Sequence, residues 1–475
     1  MKKIRVWPGY NTIWRWHFYA GLFCIPFIFV LSITGAIYLF KPQVEAVLDQ
    51  SYDQLTITGV QKSAVAQVNA ELAAVPGTVL NAYELPETPH SAVRILVGQK
   101  RDLTRVYVHP QTLKILKIEQ EDDKLMRLVH RIHGNLLLGD RGSNLVELAA
   151  SWAIVMFITG LYLWWPRNAI SLAGIAYPRL DKSGRVWWRD LHAVTGFWIS
   201  FFALFLLLSG MPWAKSWGGL LKEVRQINAG KVVPQDWTTG RTSELAERQK
   251  MNMAVGDESE HADHVGHKHG AVNEGGQKGI NNKITGKMRQ PVLDYSHMDL
   301  YVATVQPLRL ATPVLISPPS KRSPEWTARS DAQNRPLRVN LVLDTNTGAI
   351  KSSKNFADKP LLDRIIGYGI AIHEGQLFGW FNQLLGLLTA LGLVLLSASA
   401  IVLWWRRRIP GVLGAPNMRE SPSYAYALIG VIVVLGVLLP FLGISLLAIL
   451  FLERWVLRYI PAAKRFLGLN QVVAE

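Results

Sequence analysis

Four long apolar runs decide what this chain can fold into. They cover about Phe18–Phe40, Leu145–Trp165, His192–Trp213 and Leu384–Trp405. Each comes close to the roughly 20 residues that an α-helix needs to cross a hydrocarbon core of about 30 Å. Helices satisfy their own backbone hydrogen bonds, which lipid cannot do for them. The expected fold class is therefore an α-helical integral membrane bundle of four core spans, with the remaining sequence placed at its ends.

The net charge is +16. Such an excess can mark a nucleic-acid partner, but the positions argue against one. Lys2, Lys3, Arg5 and Arg15 precede or open the first run. Arg167, Arg179, Lys182, Arg185 and Arg189 separate the second run from the third, and Arg406-Arg407-Arg408 closes the fourth. Basic residues gathered at alternate span ends follow the positive-inside rule, which puts the N-terminus in the cytoplasm. The partner implied is membrane lipid, and nucleic acid is excluded. The first run is long for a signal peptide and ends without a small-x-small cleavage site, so it reads as a retained anchor. Cys24 is the only cysteine. That excludes an internal disulfide, a Cys-ligated iron–sulfur cluster and covalent C-x-x-C-H haem.

The runs divide the chain. Residues 1–41 carry the first span and 42–124 a soluble segment. Within that segment Ser63–Ala73 reads as a helix, and Ala92–Val97 and Arg105–Val108 alternate as strands do. Residues 125–166 hold an interfacial stretch and the second span, 167–189 a basic inner loop, and 190–213 the third span. A second soluble segment follows at 214–363, with Arg338–Leu343 expected as a strand and Asp344–Gly348 as its turn. Its polar stretch 257–279 lacks large apolar residues and reads as disordered. Residues 364–408 hold the fourth span and its approach. The last segment, 409–475, contains an apolar stretch from about Tyr424 to Leu452, interrupted by Pro440 and Gly443. One kinked helix and a tight hairpin are both open for it.

Each span carries a histidine in a recurring pattern. His17, Gly21 and Thr34-Gly35 return 175 residues later as His192, Gly196 and Ser209-Gly210. His133, Gly139, Thr159-Gly160 and Trp164-Trp165 return after 240 residues as His373, Gly379, Ser399-Ala400 and Trp404-Trp405. The pattern predicts two parallel repeats, each an outward span, an outer α+β module and an inward span. It also predicts depth. His17 and His192 begin outward spans, whereas His133 and His373 precede inward ones. One pair then lies at each membrane face, as two bis-histidine haems require. A single interfacial histidine is ordinary, but four at equivalent places beside apolar spans are costly and point to function. A haem-free metal or proton site stays open at this stage.

Gly21 and Gly196 sit one turn after His17 and His192, on nearly the same helix face. Alone they read as small residues for helix packing; beside the histidines they read as walls of a cofactor slot. In a straight helix His133 would stand about 18 Å outside the second run, so a break near Gly139–Gly142 is expected. His130 lies one turn before His133, but its counterpart is Ile370. Arg15, Arg189, Arg131 and Arg364 lie near the histidines and are candidates for haem propionates, or plain membrane-edge charge. Glu147 reads as a proton carrier or an interfacial residue. The run His261, His264, His267 and His269 has incidental affinity for divalent metal at most.

Taken together, Trp14-Arg15-Trp16-His17 with Gly21 and Thr34-Gly35, His133 with Gly139 and Thr159-Gly160-Leu161-Tyr162-Leu163-Trp164-Trp165, Arg189-Asp190-Leu191-His192 with Gly196, and His373-Glu374-Gly375 with Gly379 resemble the PepSY-associated transmembrane proteins. These are iron-regulated proteins of the bacterial inner membrane. The two outer modules resemble periplasmic PepSY domains, with Asp344-x-x-Thr347-Gly348 similar to that domain's turn. Members of the family include ferric-siderophore reductases with two b-type haems. The resemblance implies His17, His133, His192 and His373 as haem iron ligands, and electron transfer to periplasmic Fe(III)-siderophore or another ferric chelate. No flavin or nicotinamide motif is visible, so electrons come from a quinol or a cytoplasmic reductase. The competing reading is a non-redox, membrane-tethered PepSY protein that binds or regulates a periplasmic partner. A metal transporter would need polar residues lining the spans, and these are sparse.

Overall fold

The computed structural model describes residues 9–99, 102–166, 171–229, 294–319, 324–418 and 426–469. Two compact units alternate along the chain, with changes from one to the other between Glu45 and Ala46, Lys124 and Leu125, and Lys359 and Pro360.

Four helices of the first unit are long and apolar enough to cross a membrane: Tyr10–Leu39, Gly139–Trp164, Gly184–Trp213 and Gly379–Arg407. Each begins several residues before the apolar run that announced it. Polar residues at the membrane boundary continue a helix readily, because the backbone bonds are internal and the side chains reach water. His17 and His192 therefore sit inside helices rather than at their first residues. The first span packs against the second and the fourth, and the third against the fourth and the second.

Two short helices, Leu125–Asn135 and Leu361–His373, precede the second and fourth spans. The break foreseen at Gly139–Gly142 falls slightly earlier. Leu136 and Leu137 take left-handed backbone with φ of 52° and 60°, and Gly139 opens the span helix at φ 57°. Left-handed leucines cost on the order of 1–3 kcal/mol each. The Asn135 side chain offsets part of that by accepting the Leu137 N–H at 3.1 Å. The approach to the fourth span solves the same problem with glycine, at Gly375 (φ 72°) and Gly379 (φ 60°).

The C-terminal apolar stretch is a hairpin. Helix Tyr426–Leu438 is followed at once by Pro440–Phe451. Gly436 and Gly443 would be about 10 Å apart along one continuous helix. Instead, a Cβ built on Gly443 would stand 2.5 Å from the Gly436 carbonyl oxygen. The chain reverses at Leu439, and only glycine lets the two arms meet so closely. Leu439 and Leu442 at the turn are buried with Ile154 and Met211.

The second unit is an antiparallel sheet of eight strands in the order β4-β3-β2-β1-β5-β6-β7-β8. The first soluble segment supplies β1 (Val79–Glu84), β2 (Val93–Gln99), β3 (Asp102–Val108) and β4 (Ile115–Gln120). The other supplies β5 (Val314–Ser317), β6 (Trp326–Ser330), β7 (Val339–Leu343) and β8 (Ile350–Asn355). The two expected modules are thus halves of one sheet, joined where Tyr83 pairs with Ile316 and Glu84 with Leu315. The physical gain is the removal of two exposed strand edges. Helices Ala64–Ala74 and Met298–Val305 feed the same core, through Val68 from one and Met298 and Tyr301 from the other. The turn at Asp344–Gly348 forms as its sequence suggests: the Asp344 carboxylate accepts from the Asn346 and Thr347 N–H groups, and Gly348 has φ 69°.

Candidate functional site

The four histidines meet as two pairs. His17 and His192 stand with ring centres 6.4 Å apart and planes at 80°. His133 and His373 stand with ring centres 6.4 Å apart and planes at 80°. No distance in the sequence relates these numbers: the first pair is 175 residues apart and the second 240. All four rings are half-buried. The first pair lies near the N-terminal ends of the first and third spans. The second lies at their far ends, about 25 Å along the helix from His17 to Thr34.

Each ring is held through Nδ1 by a hydroxyl from another helix. His17 Nδ1 lies 3.1 Å from Thr159 Oγ1 and 3.1 Å from the Met156 carbonyl oxygen. His192 Nδ1 lies 3.0 Å from Ser399 Oγ. His133 Nδ1 lies 3.1 Å from Thr34 Oγ1, and His373 Nδ1 2.9 Å from Ser209 Oγ. These hydroxyls belong to the Thr-Gly, Ser-Gly and Ser-Ala dipeptides that close the four apolar runs. Sequence reasoning had them in view as parts of a motif and missed their partners.

The glycines after the hydroxyls have a plain purpose. A Cβ at Gly35 would stand 3.1 Å from His133 Cε1, one at Gly160 3.1 Å from His17 Cε1, and one at Gly210 3.5 Å from His373 Cε1. They admit the imidazoles against the helix backbone. Gly35 thus serves His133, not the His17 of its own helix. Gly21 and Gly196 face neighbouring spans instead, with Cβ positions 3.7 Å from Met156 Sδ and 3.6 Å from Leu396 Cδ2.

His130 lies one turn before His133 on the same helix, its ring 5.4 Å from that of Tyr38. Arg15 is buried and donates to the Pro416 and Gly468 carbonyls, so it ties the C-terminal segment to the first span. Arg189 pairs with Asp190 at 2.9 Å, and Asp190 also holds Arg179 at 2.6 Å. Glu147 accepts the Ser216 and Trp217 N–H groups at 3.1 and 3.3 Å, which caps the helix that follows the third span. Arg364 keeps a buried Nε without a hydrogen-bond partner. His261, His264, His267 and His269 lie outside the described residues.

The pairs can be tested against candidate groups. Among the described residues no cluster of three or more His, Cys, Asp or Glu side chains forms a metal site. A bare transition metal usually takes at least three protein ligands, whereas haem iron needs only axial ones. With about 2 Å for each metal–imidazole bond and about 1 Å from nitrogen to ring centre, two axial imidazoles have centres about 6 Å apart. The observed 6.4 Å fits at both places.

A bundle of four apolar spans joined to an antiparallel-sheet unit defines a multi-pass membrane protein. The chain belongs to the PepSY-associated TM region family, whose model matches residues 14–407. That match runs from Trp14, one turn into the first span, to Arg407 at the end of the fourth, so all four histidines fall within it. Comparison with curated proteins gives no match.

Proposed function

We propose that this protein carries two b-type haems, one between His17 and His192 and one between His133 and His373. We infer that it passes electrons across the bacterial inner membrane to a periplasmic ferric chelate, of which a ferric siderophore is the preferred case. The observation that carries the proposal is the paired geometry: two histidine pairs, at opposite ends of one bundle, with the same spacing and the same angle between planes. Bound haem would supply one-electron Fe(III)/Fe(II) chemistry at each end. The protein's own part is to hold the axial imidazoles, to exclude water with the surrounding spans, and to keep the two sites on one conducting line.

The recurring histidine, hydroxyl and glycine positions support a parallel internal repeat. The positive-inside pattern supports a cytoplasmic N-terminus and a periplasmic sheet unit. Gly21 and Gly196, one turn after His17 and His192, let Met156 and Leu396 of the neighbouring spans pack close beside the first pair. A quinol or a cytoplasmic reductase would deliver electrons at the His17/His192 end. The substrate leaves as Fe(II), which the hard oxygen donors of a siderophore hold more weakly than Fe(III), so iron is released for uptake.

A dithionite-minus-oxidised spectrum of the purified protein tests this. The expected result is a b-type spectrum with two haems per chain, reoxidised on adding a ferric siderophore. A preparation that is colourless and takes up no added haem overturns the proposal and leaves a non-redox PepSY protein that binds a partner.

A further inference from the structure

We infer that Thr34, Thr159, Ser209 and Ser399 are positioning residues that lock the four histidines in the Nδ1–H form, with Nε2 bare. Each hydroxyl uses its one proton within its own helix. Thr34 donates to the Val30 carbonyl at 2.8 Å, Thr159 to Val155 at 2.8 Å, and Ser209 to Phe205 at 2.7 Å. Ser399 donates to the Leu396 carbonyl at 2.9 Å. Such back-bonding to the preceding turn is the usual state of a hydroxyl inside a helix in lipid. Each oxygen then has only lone pairs left for the imidazole. The proton in each contact must come from Nδ1, at 3.1, 3.1, 2.9 and 3.0 Å in the order just given. His17 adds a second acceptor, the Met156 carbonyl, which cannot donate at all.

A neutral imidazole with its proton on Nδ1 has its lone pair on Nε2. A metal-bound histidine is commonly oriented by a group that accepts its other ring N–H. Here the orienting groups come from across the bundle. The first span supplies the hydroxyl for His133 and the second span the hydroxyl for His17. The third span supplies it for His373, and the fourth for His192. Thr34, Thr159 and Ser209 also stand beside the glycine that admits the imidazole they hold, so at these three places one dipeptide sets both the tautomer and the seat of the ring. Valine has the shape of threonine without the hydroxyl. Thr34→Val should therefore keep the packing and lose the lock on His133.

This inference leans on the haem reading, and two measurements separate them. The first is nitrogen-15 NMR of histidine-labelled, haem-depleted full-length protein. The expected result is Nδ1–H resonances for the four histidines, with His133 changing to a tautomer mixture in Thr34→Val. The Nε2–H form in the wild type would overturn the inference, whatever the protein binds. The second is titration of the haem-depleted protein with haemin. Thr34→Val should weaken one site by about 10- to 100-fold, the usual effect of losing such a partner, and shift its midpoint potential, while Thr34→Ser restores both. Two-site binding that is unchanged in Thr34→Val overturns the inference and leaves the haem reading intact. Failure of the wild type to bind haemin, with the Nδ1–H resonances present, overturns the haem reading and leaves the lock standing.

Discussion

His133 and His373 face one another at 6.4 Å with their planes 80° apart, although one sits in the last turn of a short helix closed by left-handed leucines and the other ends a short helix closed by glycines. Two different turns reach one arrangement. The arrangement, not the local chain path, is therefore what the surroundings enforce.

Replacing the pairs separately should separate the sites. His17→Ala with His192→Ala is expected to lower haem from two to one per chain, and His133→Ala with His373→Ala to do the same. Each double variant should keep the absorption band that the other loses. Pyridine haemochrome assays of the three proteins measure this, and a pair whose loss leaves haem at two per chain is not a ligand pair.

The angle between planes has a spectroscopic consequence. Perpendicular axial imidazoles leave the two iron d-orbitals that they interact with nearly degenerate. The ferric protein should then give strongly anisotropic low-spin electron paramagnetic resonance signals from both sites, because both angles are 80°. A conventional rhombic signal from either site would mean that its rings lie close to parallel when haem is bound.

Gly142 marks a steric limit. A Cβ there would fall inside the shell of the Asn135 carbonyl, on the turn that sets the height of His133. Asn135 cannot give way without moving the helix that ends in it. Gly142→Ala should thus reduce haem at the His133/His373 site and spare the His17/His192 site. The reading is haem content together with the band assigned by the paired variants.

The sheet unit should weaken in alkali through Glu71. Its side chain is fully buried, and neither oxygen has a hydrogen-bond partner. Burial pushes its carboxyl up to about 8 from an ordinary value of 4.5. The folded unit then holds a proton that the unfolded chain releases, so stability is full below about pH 4.5 and falls as pH rises through about 8. The loss is on the order of a few kcal/mol at the alkaline end. Glu71→Gln should remove that dependence. Hydrogen exchange of the β1 and β2 amides in the full chain, corrected for intrinsic rates, would show equal protection at pH 6 and 9 in the variant only.

Much of this protein is written locally. Apolar runs near twenty residues long announce four spans because transfer into lipid adds up residue by residue along a helix. The basic flanks predict a direction for each span, and that expectation already grouped His17 with His192 and His133 with His373. The strands around Val93 and Val339 and the turn at Asp344 were likewise legible from alternation and turn chemistry.

Other features depend on residues that the chain brings together only once it has folded. The contact of Thr34 with His133 joins residues 99 apart, and that of Ser399 with His192 joins residues 207 apart. Each requires two helices at one depth and one rotation, which periodicity alone does not specify. The pairing of Tyr83 with Ile316 turned two modules into one sheet, because any free strand edge can accept any other until a core selects between them. Gly436 and Gly443 made a hairpin of a stretch that hydropathy reads equally as one kinked helix. Sequence by itself determined the four long apolar helices and which histidines belong together. Tertiary packing alone decided which hydroxyl holds each imidazole, since a hydrogen bond is made at about 3 Å and hydrophobicity is felt over a whole helix.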